Sequence, residues 1–239
     1  MEIENNKEEV PFGHYEALFR QADPVEIAER LGVKWDGKAF TVTLLGRTYA
    51  ISHPVYAIRE LTIRGTDCHD QSEDWSRNDT EDVALPGGAG QKRILPRVGA
   101  NCQPALPVQT FLLRYLLEAK KVVSGGNWLT FREMPWGELY IKPYTGRVLT
   151  RAAFTFGTRL AKFKAAAEKM GGIPVNHGDA GYQFQLVEGY HMQILVWEGD
   201  EEFPPNAQVL YSDNFADGFA AEDRVVAGDI LISAIKENM

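Results

Sequence analysis

Basic and aromatic side chains concentrate in the middle of the chain, between Trp128 and Arg151. Thr145-Gly146-Arg147 directly precedes a predicted long helix, so backbone N–H groups, the helix dipole and guanidinium groups could converge on one anion. Aromatic side chains would add an apolar wall, which favours a planar or anionic small molecule. The candidate ligand-binding residues are Trp128, Phe131, Trp136, Tyr140, Tyr144, Arg147 and Arg151. The alternative is that the aromatic residues fill the core while the arginines pair with surface carboxylates.

Two histidines are candidates for acid–base catalysis. His177 lies in Asn176-His177-Gly178-Asp179, where the Asp179 carboxylate could orient the imidazole. His191 lies between two predicted strands, where it is either a buried axial ligand or a core histidine with a satisfied ring. The chain has no nucleophile elbow and no phosphate loop of the Gly-x-x-x-x-Gly-Lys type. An enzyme that uses His177 or His191 with a nearby carboxylate is therefore one function to test.

Acidic residues form the largest charge cluster, and its candidate metal ligands are Asp200, Glu201 and Asp213. Carboxylate oxygens suit Mg²⁺ or Ca²⁺, but the spacing is not that of a calcium-binding loop. The alternative is structural, because acidic side chains also stabilise turns and helix N-termini.

Cys68 and His69 are adjacent soft ligands that could contribute to a zinc or iron site. Neighbouring residues on an extended chain point to opposite sides, so such a site would require the chain to fold back. No Cys-x-x-Cys or His-x-x-x-His spacing accompanies them.

Helical and strand-like segments alternate along the chain and predict the elements that would position these residues. Each of three predicted helices is followed by short strands, and a fourth helix ends the chain. The predicted helices are 15–31, 107–123, 147–170 and 222–236. The predicted strands are 39–44, 48–51, 128–132, 138–142, 183–187, 192–197 and 207–211. Three helix–hairpin units and a C-terminal helix predict an α+β fold with helices packed on a mostly antiparallel mixed sheet.

The segment 64–103 differs from the rest because it is polar and rich in glycine, with few apolar residues. We predict one domain over residues 1–239 that carries this segment as an insertion. It is expected to be a surface loop, with a lid over a ligand as the alternative.

Composition excludes several classes of function. The chain has 239 residues with 44% hydrophobic content and a net charge of −8, which argues against binding to nucleic acid phosphates. No apolar run reaches the roughly 20 residues of a membrane span, and the N-terminus lacks the pattern of a signal peptide. We therefore expect a cytoplasmic protein with no membrane partner.

The C-terminal third has a predicted strand before Gly199-Asp200-Glu201-Glu202-Phe203-Pro204, a predicted strand that ends near Asp213, and a predicted helix that starts at Glu222-Asp223. In this order of segments the chain resembles a bacterial family known as domain of unknown function 3786. Further segments, including 112–117 and 128–137, extend the resemblance over about residues 14–236, and the chain departs from the family pattern at the insertion. Some relatives occur with iron–sulfur modules of corrinoid methyl-transfer systems, so the resemblance implies an iron–sulfur or corrinoid protein as partner.

From these patterns we expect a protein that binds a small anionic or planar ligand or cofactor. The resemblance implies an accessory role in anaerobic cofactor or one-carbon metabolism. The alternatives are the histidine-dependent enzyme and a protein-interaction module without a ligand.

Overall fold

The computed structural model describes residues 7–61 and 103–239. Its helices are α1 (Glu9–Gln21), α2 (Pro24–Leu31), α3 (Leu106–Glu118), α4 (Gly137–Tyr144), α5 (Arg151–Phe156), α6 (Leu160–Lys169), α7 (Phe215–Gly218) and α8 (Ala221–Glu237). Its strands are β1 (Lys34–Trp35), β2 (Ala39–Leu44), β3 (Arg47–Ser52), β4 (Ala57–Glu60), β5 (Trp128–Thr130), β6 (Ile173–Pro174), β7 (Ala180–Val187), β8 (Tyr190–Trp197) and β9 (Asn206–Ser212). A 3₁₀ turn covers Phe131–Glu133, and a π-helical segment covers Thr145–Thr150. The fold is α+β, as predicted.

The strands form two antiparallel sheets instead of the one mixed sheet predicted. A four-stranded sheet has the order β1-β2-β3-β4, and a five-stranded sheet has the order β5-β9-β8-β7-β6. The first sheet depends on a tight turn at Leu45 and Gly46, which both have positive φ and join the paired residues Leu44 and Arg47. Positive φ at both central positions is the geometry of a two-residue hairpin, and glycine at the second adopts it without strain.

Strand β8 is the middle strand of the five-stranded sheet, between β7 and β9. Ile194 and Val196 lie on one face of the strand and are completely buried, and Gln193 and Leu195 on the other face are also buried. The predicted central position of this strand is therefore confirmed.

The two sheets and the helices share one apolar core. The N–H of Leu45 donates to the carbonyl of Leu186 at 2.8 Å, which ties the first sheet to β7. Helix α8 contacts α3, α4, α5 and α6, and its residues Ile230, Leu231 and Ile232 are fully buried. A helix that is apolar on nearly every side must be enclosed by other elements.

The prediction of three helix–hairpin units is wrong in its second unit. Residues 138–142, predicted as a strand, belong to α4, so Trp136 and Gly137 start a helix instead of turning a hairpin. The short apolar run Leu139-Tyr140-Ile141 favoured a strand, but such a run also fits a helix, and α4 packs on α8.

Two of the predicted long helices are interrupted in the structure. The helix predicted over 15–31 is two helices, because Asp23 caps the start of α2 by accepting hydrogen bonds from Val25 N and Glu26 N. The helix predicted over 147–170 is interrupted at Gly157, where a Cβ would lie 2.4 Å from Pro205 Cβ. Of the predicted insertion 64–103, all but its last residue lies outside the described residues.

Candidate ligand-binding cleft

An open cleft of about 310 Å³ lies where the end of α3, the turn before α4, and the α7–α8 connection meet. This volume is at the lower end of the roughly 300–1,000 Å³ of small-molecule sites. The described residues that line the cleft are Glu118, Pro135, Trp136, Ala216, Asp217, Gly218, Phe219, Ala220 and Arg224.

Arg224, in the second turn of α8, is the cation of this cleft, and it is only 1% exposed. Its Nη2 donates to the carbonyl of Pro135. Its Nε and Nη1 are buried and have no hydrogen-bond partner among the described residues. Within the same described part of the chain, no carboxylate forms an ion pair with this guanidinium. A buried and unpaired charge costs several kcal/mol, so this arrangement requires an explanation.

Aromatic rings support the Arg224 guanidinium from one side. Its Cζ lies 5.5 Å from the centroid of the Phe131 ring, and Phe131 stacks on Tyr144 with centroids 3.9 Å apart. A cation over an aromatic face is stabilised electrostatically, which offsets part of the cost of burial. Burial still lowers the pKa of Arg224 from its ordinary value.

The turn at Pro135, Trp136 and Gly137 forms one wall. Trp136 has a φ of 63°, a left-handed conformation that a bulky residue rarely adopts, and it is 72% exposed. The next position, 137, requires glycine because a Cβ there would lie 2.0 Å from the carbonyl oxygen of Phe131. The turn therefore holds a large aromatic side chain in solvent at the cleft, in a backbone conformation that costs about 1–3 kcal/mol.

The opposite wall is the connection from α7 to α8. Gly218 packs against Tyr190, since a Cβ there would lie 2.3 Å from the Tyr190 hydroxyl oxygen. Phe219 is buried and stacks on Phe111 with centroids 4.9 Å apart. This packing fixes the backbone that presents the exposed carboxylate of Asp217 to the cleft.

Helix α8 begins at this wall, and Ala220, its N-cap residue, lines the cleft. The alanine side chain cannot accept a hydrogen bond, so the first N–H groups of α8 depend on other acceptors. Asp223 caps in the reverse direction: its Oδ2 accepts from Ala220 N at 3.1 Å. Burial raises the pKa of Asp223 to about 6, although Arg114 pairs with it at 2.8 Å and opposes the rise.

Glu118 at the end of α3 is the second carboxylate of the cleft. It is exposed and lies 3.4 Å from Arg114, which it shares with Asp223. Asp217, in contrast, has no ion pair among the described residues. The described lining of the cleft therefore combines one buried cation with two carboxylates at its edge.

A family model matches residues 91–234, more than half of the chain, and includes every residue that lines the cleft. The chain belongs to the family of domain of unknown function DUF3786. Neither the curated proteins nor the solved structures gave a match. The match to the DUF3786 model begins within the predicted insertion, whereas the resemblance was expected to start near residue 14.

Of the aromatic residues predicted to bind a ligand, Trp136 lines the cleft. Phe131 and Tyr144 are buried behind it, where Phe131 lies under the Arg224 guanidinium and stacks on Tyr144. Trp128 instead pairs with Ser212 at the edge of the five-stranded sheet. Tyr140 lies on α4, one helical turn after Trp136.

The helix start predicted at Arg147 is wrong. Residues 137–156 are helical without a break, so Arg147 lies within a run whose N–H groups are already used. Arg147 and Arg151 both pair with the buried carboxylate of Asp229, and Arg151 also donates to Ser233 Oγ at 2.9 Å. Neither arginine is among the described residues that line the cleft.

The histidine candidates lie away from the cleft. His177 and Asp179 are on the exposed loop before β7, where Asp179 Oδ2 accepts from Glu198 N at 2.8 Å. His191 is half-buried on β8, and burial lowers its pKa. Within the described part of the chain, neither imidazole pairs with a carboxylate.

The acidic candidates hold turns together. Asp200 accepts from Glu202 N and Phe203 N, at 2.9 and 2.7 Å. Asp213 accepts from Ser124 Oγ at 2.6 Å and from Gly125 N at 3.0 Å, and these bonds help to lower its pKa. Glu201 is exposed. Over residues 7–61 and 103–239, no three His, Cys, Asp or Glu side chains group as metal ligands. Cys68 and His69 lie outside the described residues.

Sequence reasoning missed Arg224 and Glu118 as site residues, and it grouped Asp217 only with the acidic cluster. One signal for Arg224 was available: a lone basic residue follows Glu222-Asp223 at the start of a long, largely apolar helix, where a fully exposed side chain is not expected.

Among the described helices, none is both long and apolar enough for a transmembrane span.

Proposed function

We propose that this protein binds a small molecule through a carboxylate, or a similar planar anionic group, at the Arg224 cleft. The observation that carries the proposal is the buried guanidinium with two unpartnered nitrogens. Guanidinium has five N–H donors in a planar fork that matches a carboxylate. An anion that accepts from them would offset the cost of burying the charge.

The surroundings of Arg224 support the same function. The N-terminus of α8 faces the cleft, and helix N-termini favour negative charge. Trp136 adds exposed aromatic surface for the rest of the ligand. The ligand-binding function expected from the sequence is thus retained, with Arg224 in the role that was predicted for Arg147.

Access to Arg224 involves the turn before α4. The Nη2 bond to Pro135 ties the guanidinium to this turn, and the strained Trp136 follows it directly. An incoming carboxylate would compete with the Pro135 carbonyl for the guanidinium, so we expect the turn to shift when a ligand binds.

The test uses thermal melting and titration calorimetry of the full chain with 3-phenylpropionate and phenylalanine, two small carboxylates that carry an aromatic ring. At least one should raise the melting temperature in a saturable manner, and Arg224→Gln should weaken its binding at least tenfold. Arg147→Gln is the matched control, since it removes the same charge from a side chain that is 56% exposed. Absence of binding to the wild-type protein, or equal loss in both variants, would overturn the proposal.

The alternatives have less structural support. No histidine is among the described residues that line the cleft, so an enzyme based on His177 or His191 stays a prediction. The interaction module and the link to corrinoid-dependent one-carbon metabolism also stay predictions.

A further inference from the structure

The described residues that line the cleft carry more negative than positive charge, although the buried one is a cation. Arg224 lies at its floor, whereas Asp217 and Glu118 lie at its edge. A ligand with only a negative charge would gain from Arg224 but would be repelled by both carboxylates. A ligand with only a positive charge would leave Arg224 unpaired.

Asp217 is the carboxylate with the freer charge. Glu118 shares Arg114 with Asp223, so part of its charge is already neutralised. Asp217 has no ion pair within the described residues, and the packing of Gly218 on Tyr190 holds its backbone in place. This carboxylate is thus available for a cation that arrives with the ligand.

Trp136, on the wall opposite Asp217, adds an exposed indole ring to the cleft. The face of an indole attracts an ammonium group, and tryptophan is the strongest of the aromatic residues in this respect. The strained backbone that keeps Trp136 in solvent is accounted for if the ring contacts a ligand.

We infer, building on the proposed binding of a carboxylate at Arg224, that the ligand is a zwitterion of the amino acid type. Its carboxylate pairs with the Arg224 guanidinium near the start of α8. Its protonated amino group lies at the edge of the cleft, where the Asp217 carboxylate neutralises the charge and the face of the Trp136 ring attracts it. The cleft volume of about 310 Å³ accommodates a ligand of about the size of one amino acid.

Three probes of nearly one shape separate the two charges: phenylalanine, 3-phenylpropionate without the amino group, and phenethylamine without the carboxylate. Titration calorimetry at pH 7 should show phenylalanine binding at least tenfold more tightly than either of the others. Asp217→Asn should reduce the affinity for phenylalanine to near that for 3-phenylpropionate and should leave 3-phenylpropionate binding as tight or tighter. Glu201→Gln is the control, because it removes one exposed negative charge in the turn after β8.

The outcomes distinguish this inference from the proposed function. If 3-phenylpropionate binds as tightly as phenylalanine and Asp217→Asn has no effect, the zwitterion is excluded while carboxylate binding at Arg224 stands. If phenethylamine binds as tightly as phenylalanine and Arg224→Gln has no effect, both are overturned. Both also fail if none of the three probes binds.

Discussion

The Arg224 guanidinium lies over the ring of Phe131, with 5.5 Å between Cζ and the ring centroid. An aromatic face can lower the cost of a buried cation, but it does not replace the oxygen acceptors that the N–H groups of Nε and Nη1 need. The fold thus holds a charge ready for an acceptor that the described residues do not supply. Binding sites often retain such local instability because the ligand relieves it.

Replacing this buried charge should cost little stability when no ligand is present. Methionine has a similar length and no charge, so Arg224→Met should leave the free energy of unfolding unchanged or raise it by about 1 kcal/mol. Urea unfolding of the ligand-free protein measures this. A decrease of more than about 2 kcal/mol would mean that Arg224 chiefly supports the fold.

Arg114→Met is the contrasting variant, because it strands the buried Asp223 without its 2.8 Å partner. We expect a decrease of about 3 kcal/mol in the free energy of unfolding near pH 7. Similar results for the two variants would contradict the different roles assigned to Arg114 and Arg224.

Asp223 should make stability depend on pH. Burial raises its pKa from 3.8 to about 6 in the folded protein, so the folded state binds this proton more tightly than the unfolded chain does. Protonated Asp223 therefore makes its full contribution to the free energy of unfolding below about pH 4. This contribution, up to about 3 kcal/mol, is lost as the pH rises through 6. The difference in unfolding free energy between the wild-type protein and Asp223→Asn should therefore shift against the wild type from pH 4 to 7. The opposite slope would mean that the Arg114 ion pair outweighs burial.

How far the sequence could predict this molecule depends on how local the signals are. Gly46 favours a tight turn through its own backbone freedom, and the short apolar run 192–197 is a local signal for a buried strand. The strands predicted from these two signals match β2, β3 and β8. Helix α4 was missed because its packing against α8, distant in sequence, decides between two patterns that five residues alone cannot separate.

The same distinction applies to the site. Phe131, Trp136 and Tyr144 are close in sequence and were predicted together. Their cation, Arg224, comes from another helix and is brought to them only by the burial of α8. Arg147 looked equivalent in sequence, but Asp229, also on α8, pairs with it.

The turn before α4 should tolerate no side chain at Gly137. A Cβ would lie 2.0 Å from the Phe131 carbonyl oxygen, which is backbone and cannot rotate away, so Gly137→Ala should lower the free energy of unfolding by about 3 kcal/mol or more. Gly146→Ala is the control, since a Cβ there has nothing within 4 Å, and it should stabilise the helical run by about 0.5–1 kcal/mol. Chemical denaturation of both variants checks the pair. Equal effects would show that the turn can shift to accommodate a methyl group.

Asp213 should act through the turn it holds and not through a metal ion. Asp213→Ala removes the acceptor of the Ser124 and Gly125 hydrogen bonds, so the melting temperature should fall. Glu201→Ala, in the other acidic turn, should leave it unchanged. Millimolar Mg²⁺ or Ca²⁺ should not raise the melting temperature of the wild-type protein. A saturable rise that Asp213→Ala abolishes would restore the cation site predicted from the sequence.

Trp136 should show opposite effects on stability and on ligand binding. Asparagine adopts the left-handed conformation at lower cost than tryptophan, and the Trp136 side chain is 72% exposed, so little buried surface is lost on substitution. Trp136→Asn should therefore raise the free energy of unfolding by about 0.5–1 kcal/mol. The same change removes the aromatic wall of the cleft and should weaken binding of phenylalanine severalfold.

Leu139→Asn is the matched control: Leu139 is equally exposed on α4, lies within the helix, and is outside the described residues that line the cleft. It should not stabilise the protein and should leave binding unchanged, as urea unfolding and titration calorimetry will measure. If Trp136→Asn destabilised the protein and bound phenylalanine normally, the left-handed turn would be a structural feature and Trp136 would have no part in the site.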